Sequence, residues 1–274
     1  MKVRARKQKS LGIGLPDSSQ KQVPFVFPLS SFGVLIYCNL GCLINKLFII
    51  ILLYEQVLIN KIMGLGSYKT AWTWLQKLRR AMITPGRDNL SGIVEVDESY
   101  IGGEKSGKRG RGAEGKSLVV IAVEVNDSNI GRIRLHRIKD ASCQSLHDAI
   151  SHTVNKGSLI RTDGWKGYNG LESIGYIHEI VRPSAEIGKD LLPNCHRVAS
   201  LLKRWLLGTH QGAVSQEHLD YYLDEYTFRF NRRTSTHRGK LFYRLLQNAV
   251  RIEPTTFDQM KKNVRGTRLH KHYI

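Results

Sequence analysis

The chain has 274 residues, with 42 Lys and Arg against 23 Asp and Glu and a formal net charge of +19. A hydrophobic fraction of 41% with 24% charged residues excludes wholesale disorder, collagen-like sequence and a polytopic membrane protein, and the length suits one large domain or two small ones. The charge excess excludes an ordinary metabolic enzyme and implies standing attraction to a polyanion, either nucleic acid or anionic lipid.

Residues 1–60 stand apart from the rest. A basic start (Lys2, Arg4, Arg6, Lys7, Lys9) leads into 22 uncharged residues from Pro24 to Asn45, followed after Lys46 by LFIIILLY. By length, residues 24–54 could span a bilayer, but Pro24, Pro28, Asn39, Asn45 and Lys46 dilute the apolar run, and it lies too far in for a signal peptide. Three readings stay open: a membrane segment, a buried element, or a scar from a truncation or misplaced start. Cys38, Cys42, Cys143 and Cys195 form no CxxC pair, which argues against a structural zinc site and for a reducing, cytoplasmic setting.

Residues 61–90 contain GSYKTAWTWLQKLRRAM, where a cap-like Ser67 precedes apolar Ala71, Trp74, Leu75, Leu78 and Met82 at helical spacing. Lys69, Thr73, Lys77 and Arg80 fall on the other faces. This amphipathic helix reads equally as the remnant of a helix-turn-helix with its basic residues on DNA phosphates, or as a solvated helix packed through its tryptophans. The partner helices would have to lie within residues 24–60.

After the turn-rich TPGRDNLSG, strands are expected at 93–101, 117–125 and 132–138, a helix over 145–154 with Leu146, Ala149, Ile150 and Val154 on one face, and short strands at 159–162 and 177–181. Helices at 196–207 and 218–230 follow, the second with Leu219, Tyr222, Leu223, Tyr226 and Phe230 on one stripe. This order predicts an α/β ribonuclease H-like fold over residues 91–250, a mixed five-stranded sheet flanked by helices, with a basic tail over 251–274. In such a sheet the first and fourth strands are neighbours, so Asp97 and Asp163 would face one point. Paired carboxylates repel unless a cation neutralises them, although two of 23 acids falling on strands could equally be edge charges.

Four strings in this order, VEVDESYIGGE, TDGWKGY, SLLKRWLLGTHQG and YYLDEYTFRFNRR, resemble the catalytic domain of bacterial insertion-sequence transposases of the DDE superfamily, specifically the ISXO-like group, over roughly residues 65–250. The resemblance implies two divalent metal ions, Mg²⁺ or Mn²⁺, and cleavage and joining of double-stranded DNA at terminal inverted repeats and a target, performed by a homodimer or larger complex. Asp97 and Asp163 match the first two metal-binding acids. Lys203 matches the family's Lys, and seven residues before it stands His196 where relatives carry Glu, Asn or His, 33 residues beyond Asp163. An imidazole in that position shifts preference towards Mn²⁺. Lys203 is expected near the DNA backbone, with Trp165 and Tyr168 packing beneath Asp163 or stacking on an extruded base.

The other basic residues then fall into three groups. Lys69, Lys77 and Arg80 lie on the helix; Lys105, Lys108, Arg109, Arg111 and Lys116 lie in a glycine-rich loop; Arg229, Arg232, Arg233 and Arg238 lie at the end of the last long helix. Such clusters follow phosphates and read bases poorly. The competing expectation is a catalytically inactive, N-terminally truncated remnant that binds DNA without cutting it.

Overall fold

The computed structural model describes residues 64, 66–84, 86–102, 116–127, 129–182, 190–210 and 215–262. The N-terminal 63 residues, including the apolar run at 24–54, and loop residues Lys105, Lys108, Arg109 and Arg111 lie outside the described residues. Among the described residues no helix is long and apolar enough to cross a membrane.

The strands are β1 (Ile93–Ile101), β2 (Ser117–Asn126), β3 (Asn129–Ile138), β4 (Leu159–Thr162) and β5 (Ile177–Ile180). They form one sheet in the order β3-β2-β1-β4-β5, antiparallel from β3 to β1 and parallel from β1 to β5. The helices are α1 (Tyr68–Ala81), α2 (Cys143–Ser151), α3 (Pro193–His210), α4 (Leu219–Phe230), α5 (Arg238–Ala249) and α6 (Phe257–Lys261). This is the mixed five-stranded sheet flanked by helices that the alternation predicts, a ribonuclease H-like arrangement.

Period-2 alternation decides what each face of the sheet carries. On β1, Val94 and Val96 point into one core with Val120 and Ala122 of β2, Ile160 of β4, and Leu146, Ala149 and Ile150 of α2. The opposite face of β2 and β3, with Val119, Ile121, Val123, Ile133 and Leu135, packs on Cys195, Val198 and Leu202 of α3 and Leu219 and Leu223 of α4. Burial on both faces explains the continuous apolar run of β2. The alternate residues of β1, Glu95 and Asp97, are left on the α3 face.

Several elements differ from expectation for identifiable reasons. Helix α3 starts at Pro193, three residues before His196, because a proline at the first helical position gives up no helical hydrogen bond. Helix α4 is buried almost all round, at Tyr221, Glu225, Thr227 and Phe228 as well as along its expected stripe. It lies between the sheet core and a third cluster built from Ala71, Leu75, Ala81 and Met82 of the α1 region, Phe228, and Leu245 of α5. Helices α5 and α6 lie beyond the two closing helices that the sequence pattern marks.

Helix α1 has the predicted start, with the Ser67 hydroxyl accepting from Thr70 N at 3.2 Å, but a rotated buried face. Trp74, expected in the core, is 56% exposed, whereas Arg79 is 4% exposed. Arg79 Nε meets Glu225 Oε2 of α4 at 2.8 Å, and its guanidinium lies 4.5 Å from the centroid of the Tyr222 ring. That pairing, across 146 residues of sequence, turns a residue of the basic helix inward.

Candidate active site

Asp97 lies on the α3 face of β1, and the parallel pairing of β1 with β4 places Asp163. The register runs Ile93↔Leu159, Val94↔Ile160 and Glu95↔Arg161; two residues further, where β4 has just ended, Asp163 comes level with Asp97. Neighbouring strands lie about 4.8 Å apart. Asp163 is exposed at the start of a sharp turn, where its Oδ1 accepts from Trp165 N at 3.0 Å and Thr162 Oγ1 accepts from Gly164 N at 3.3 Å. Gly164 has φ +81°, and a Cβ there would stand 2.6 Å from Ile180 Cγ2, so the turn after Asp163 requires glycine.

The third side chain comes from α3. His196 Nε2 lies 3.3 Å from Asp97 Oδ2, and His196 Nδ1 lies 2.5 Å from Asp190 Oδ1. Glu95, which the strand pattern puts beside Asp97 but which carried no sequence signal of its own beyond that spacing, holds this helix. Its carboxylate accepts from Asn194 N at 3.0 Å, Asn194 Nδ2 at 2.8 Å and Cys195 N at 3.2 Å. A carboxylate buried to 4% exposure is tolerable because it satisfies the open N–H groups at the positive end of α3. Glu95 and Asp97 thus form two rungs between β1 and α3, the first gripping residues 194 and 195 and the second meeting His196.

The electrostatics of this corner are lopsided. The Asp97 carboxyl is pushed up to about 6 by burial and by the adjacent Glu98, with Asp163 adding to the shift, while His196 and the N–H of Glu98 oppose it. Glu98 accepts from the hydroxyl of fully buried Tyr168 at 2.7 Å. Burial, with Glu98 next in effect, drives that phenol well above its ordinary value. The Trp165 indole N–H donates to Ala141 O at 3.1 Å. Both aromatics of the DGWKGY segment are therefore packed into the fold beside Asp163.

Among the described residues, no three His, Cys, Asp or Glu side chains converge closely enough to cage a metal ion as they stand. The donor chemistry nevertheless fits a hard divalent cation, because a buried carboxyl surrounded by further carboxylates is a site whose charge a cation would relieve. Asp97 and His196 are in direct contact, and Asp163 is level with Asp97 just past the end of β4.

The basic residues divide. Lys203 is exposed on α3 seven residues after His196, about two turns along one helix face. Lys77 is exposed and Arg80 half-buried on α1, Lys69 Nζ lies 4.2 Å from the Phe257 ring centroid, and Lys116 is half-buried just before β2. Three arginines are engaged by the fold. Arg229 pairs with Glu225 at 3.0 Å, Arg232 lies 4.0 Å from the Phe228 ring centroid, and Arg233 donates to the carbonyls of Ile130, Gly131 and Phe230. Arg238 begins α5.

A mixed five-stranded sheet of this order flanked by helices defines the class as a ribonuclease H-like fold. The ISXO2-like transposase domain family matches residues 89–231, just over half of the chain, and the chain belongs to that family. No curated protein matches it. Among solved structures, it resembles the catalytic core domain of BIV integrase at 15% identity and a TM-score of 0.35, covering 54% of this chain and 88% of that one. It also resembles a pre-cleavage Mos1 transpososome at 12% identity and a TM-score of 0.33, covering 92% and 82%, and a simian T-cell lymphotropic virus intasome at 13% and 0.36, covering 69% and 70%. These likenesses are too low to assign any residue.

Proposed function

We propose that this member of the transposase family binds the ends of its mobile element and carries out divalent-metal-dependent cleavage and transfer of DNA strands. The observation that carries this reading is the acidic corner at Asp97, where strand register, helix placement and burial bring carboxylates together and push the Asp97 carboxyl up to about 6. Asp97, Asp163 and His196 are the residues that would hold Mg²⁺ or Mn²⁺. The bound metal would supply activation of the attacking hydroxyl and stabilisation of charge on the phosphate and the leaving oxygen.

The chain's own residues do the rest. Glu95 keeps α3 in register, and Tyr168 and Trp165 support the segments that carry Glu98 and Asp163. Lys203 offers a positive charge to a phosphate on the exposed face beyond His196. Double-stranded DNA is the partner that the excess of 19 positive charges favours, and handling two element ends together calls for a dimer or larger complex. Lys69, Lys77, Arg80, Lys116 and Arg238, with loop residues Lys105, Lys108, Arg109 and Arg111, are the phosphate contacts of this reading. Arg229, Arg232 and Arg233 would contribute through the field they add.

A second reading, drawn from the lack of CxxC pairs and the atypical residues 1–60, is that the domain binds DNA without cutting it. Incubating the full chain with Mn²⁺ and DNA bearing the terminal inverted repeats separates the two. Cleavage that disappears in Asp97→Ala and Asp163→Ala supports catalysis, and binding without cleavage at any metal concentration refutes it.

A further inference from the structure

Resting on the reading of His196 as a metal ligand, we propose that Asp190 is the positioning residue for His196, orienting its ring so that Nε2 faces the metal. Asp190 Oδ1 lies 2.5 Å from His196 Nδ1. A carboxylate oxygen and a ring nitrogen share so short a distance only with a proton between them, so the Asp190 side holds the proton at Nδ1. The opposite nitrogen, Nε2, stands 3.3 Å from Asp97 Oδ2 and is the one whose lone pair a cation beside Asp97 would take.

Asp190 is itself anchored. The same Oδ1 accepts from Leu192 N at 3.3 Å, which ties the carboxylate to the backbone leading into α3, and His196 N donates to Leu192 O at 3.0 Å. The Asp190 carboxylate and the His196 backbone are therefore both tied to Leu192 at the helix start. Glu95 fixes the helix against β1 at residues 194 and 195, and Asp190 fixes the one freedom that remains, rotation of the ring on a side chain that is 52% exposed. An exposed imidazole without such a partner samples several rotamers and both tautomers, and it surrenders affinity in proportion.

The test uses the full chain with Mn²⁺ alone, titrated by electron paramagnetic resonance, with electron spin-echo detection of nitrogen coupling to the bound ion. The expected wild-type signal contains coupling to a ring nitrogen that His196→Ala abolishes. Asp190→Asn is expected to bind Mn²⁺ about 10–100-fold more weakly, as losses of partners behind a ligand usually do, and to lose that nitrogen coupling while Asp97 and Asp163 retain the ion. Its melting temperature without metal should be unchanged, because the Asp190 side chain is 43% exposed.

Wild-type affinity and coupling in Asp190→Asn would overturn the proposal. Weakened binding with the coupling intact would overturn it in another way, by making Asp190 a ligand. A wild-type chain without nitrogen coupling would remove it together with the ligand role of His196, whereas loss of cleavage in Asp97→Ala would still uphold catalysis.

Discussion

Two regions of this protein bury charge, and they resolve it in opposite ways. Between α1 and α4, Glu225 receives Arg79 on one carboxylate oxygen at 2.8 Å and Arg229 on the other at 3.0 Å, and both guanidinium groups lie over aromatic rings. Between β1, β4 and α3, His196 meets Asp97 and Asp190, and Asp97 also feels the charges of Glu98 and Asp163. The first region supplies its own countercharge and serves the fold. Among the described residues the second sets several carboxylates against one imidazole, and this imbalance makes it the candidate site.

The largest effect on stability should come from opening the balanced region. Glu225→Ala leaves Arg79 buried with no carboxylate, and the loss should be about 3–5 kcal/mol in urea denaturation. If the variant is within 1 kcal/mol of wild type, Glu225 is not the centre of that joint.

The next effect is on acid stability. His210, at the end of α3, is lowered to about 4 by burial and then by the charge of Arg79, from an ordinary 6.5. The unfolded chain therefore takes up this proton before the folded one. Stability from His210 is intact above pH 6.5 and falls as the pH drops towards 4, by up to about 3 kcal/mol at roughly 1.4 kcal/mol per pH unit. Urea midpoints measured against pH should fall less steeply in His210→Gln.

Asp97 has the opposite sign. Its native carboxyl is raised from 3.8 to about 6, so its contribution to stability is present below pH 3.8 and is lost as the pH rises through 6. Without metal, Asp97→Asn should stabilise the protein by about 2–3 kcal/mol at pH 8 and by little at pH 4, a trade of function for stability. An Asn variant that melts below wild type at pH 8 would mean that the acid is already neutralised within the chain.

The smallest effect on stability belongs to Lys203. Lys203→Ala, at an exposed position, should alter unfolding by less than about 0.5 kcal/mol. If Lys203 meets a phosphate, the slope of log affinity for DNA against log salt should fall in magnitude by about 0.9.

The sequence makes the site partly legible because two of its parts rest on local rules. Alternation along IVEVDESYI puts Asp97 opposite the apolar residues of β1, and strand order brings Asp163 alongside. The Lys203 spacing picks out His196 only with the family resemblance in hand. Glu95 shares the strand face of Asp97, but nothing near it in sequence reveals that its partners are Asn194 and Cys195, 99 and 100 residues away. Arg79 was hidden for the same reason. A charge on a basic helix reads as solvated until its partner is seen, and Glu225 lies on another helix. Trp74 shows the converse, an aromatic at helical spacing left outside while Arg79 of the same helix is buried.

The central claim is that the corner at Asp97 is completed by a cation, and thermal unfolding of the metal-free protein at pH 8 with and without Mn²⁺ tests it most directly. With Mn²⁺ at about 100 times its dissociation constant, the melting temperature of the wild type should rise by about 5–10 °C, and that of Asp97→Asn should rise by much less. Equal shifts in the two proteins, or no shift in the wild type, would contradict the account.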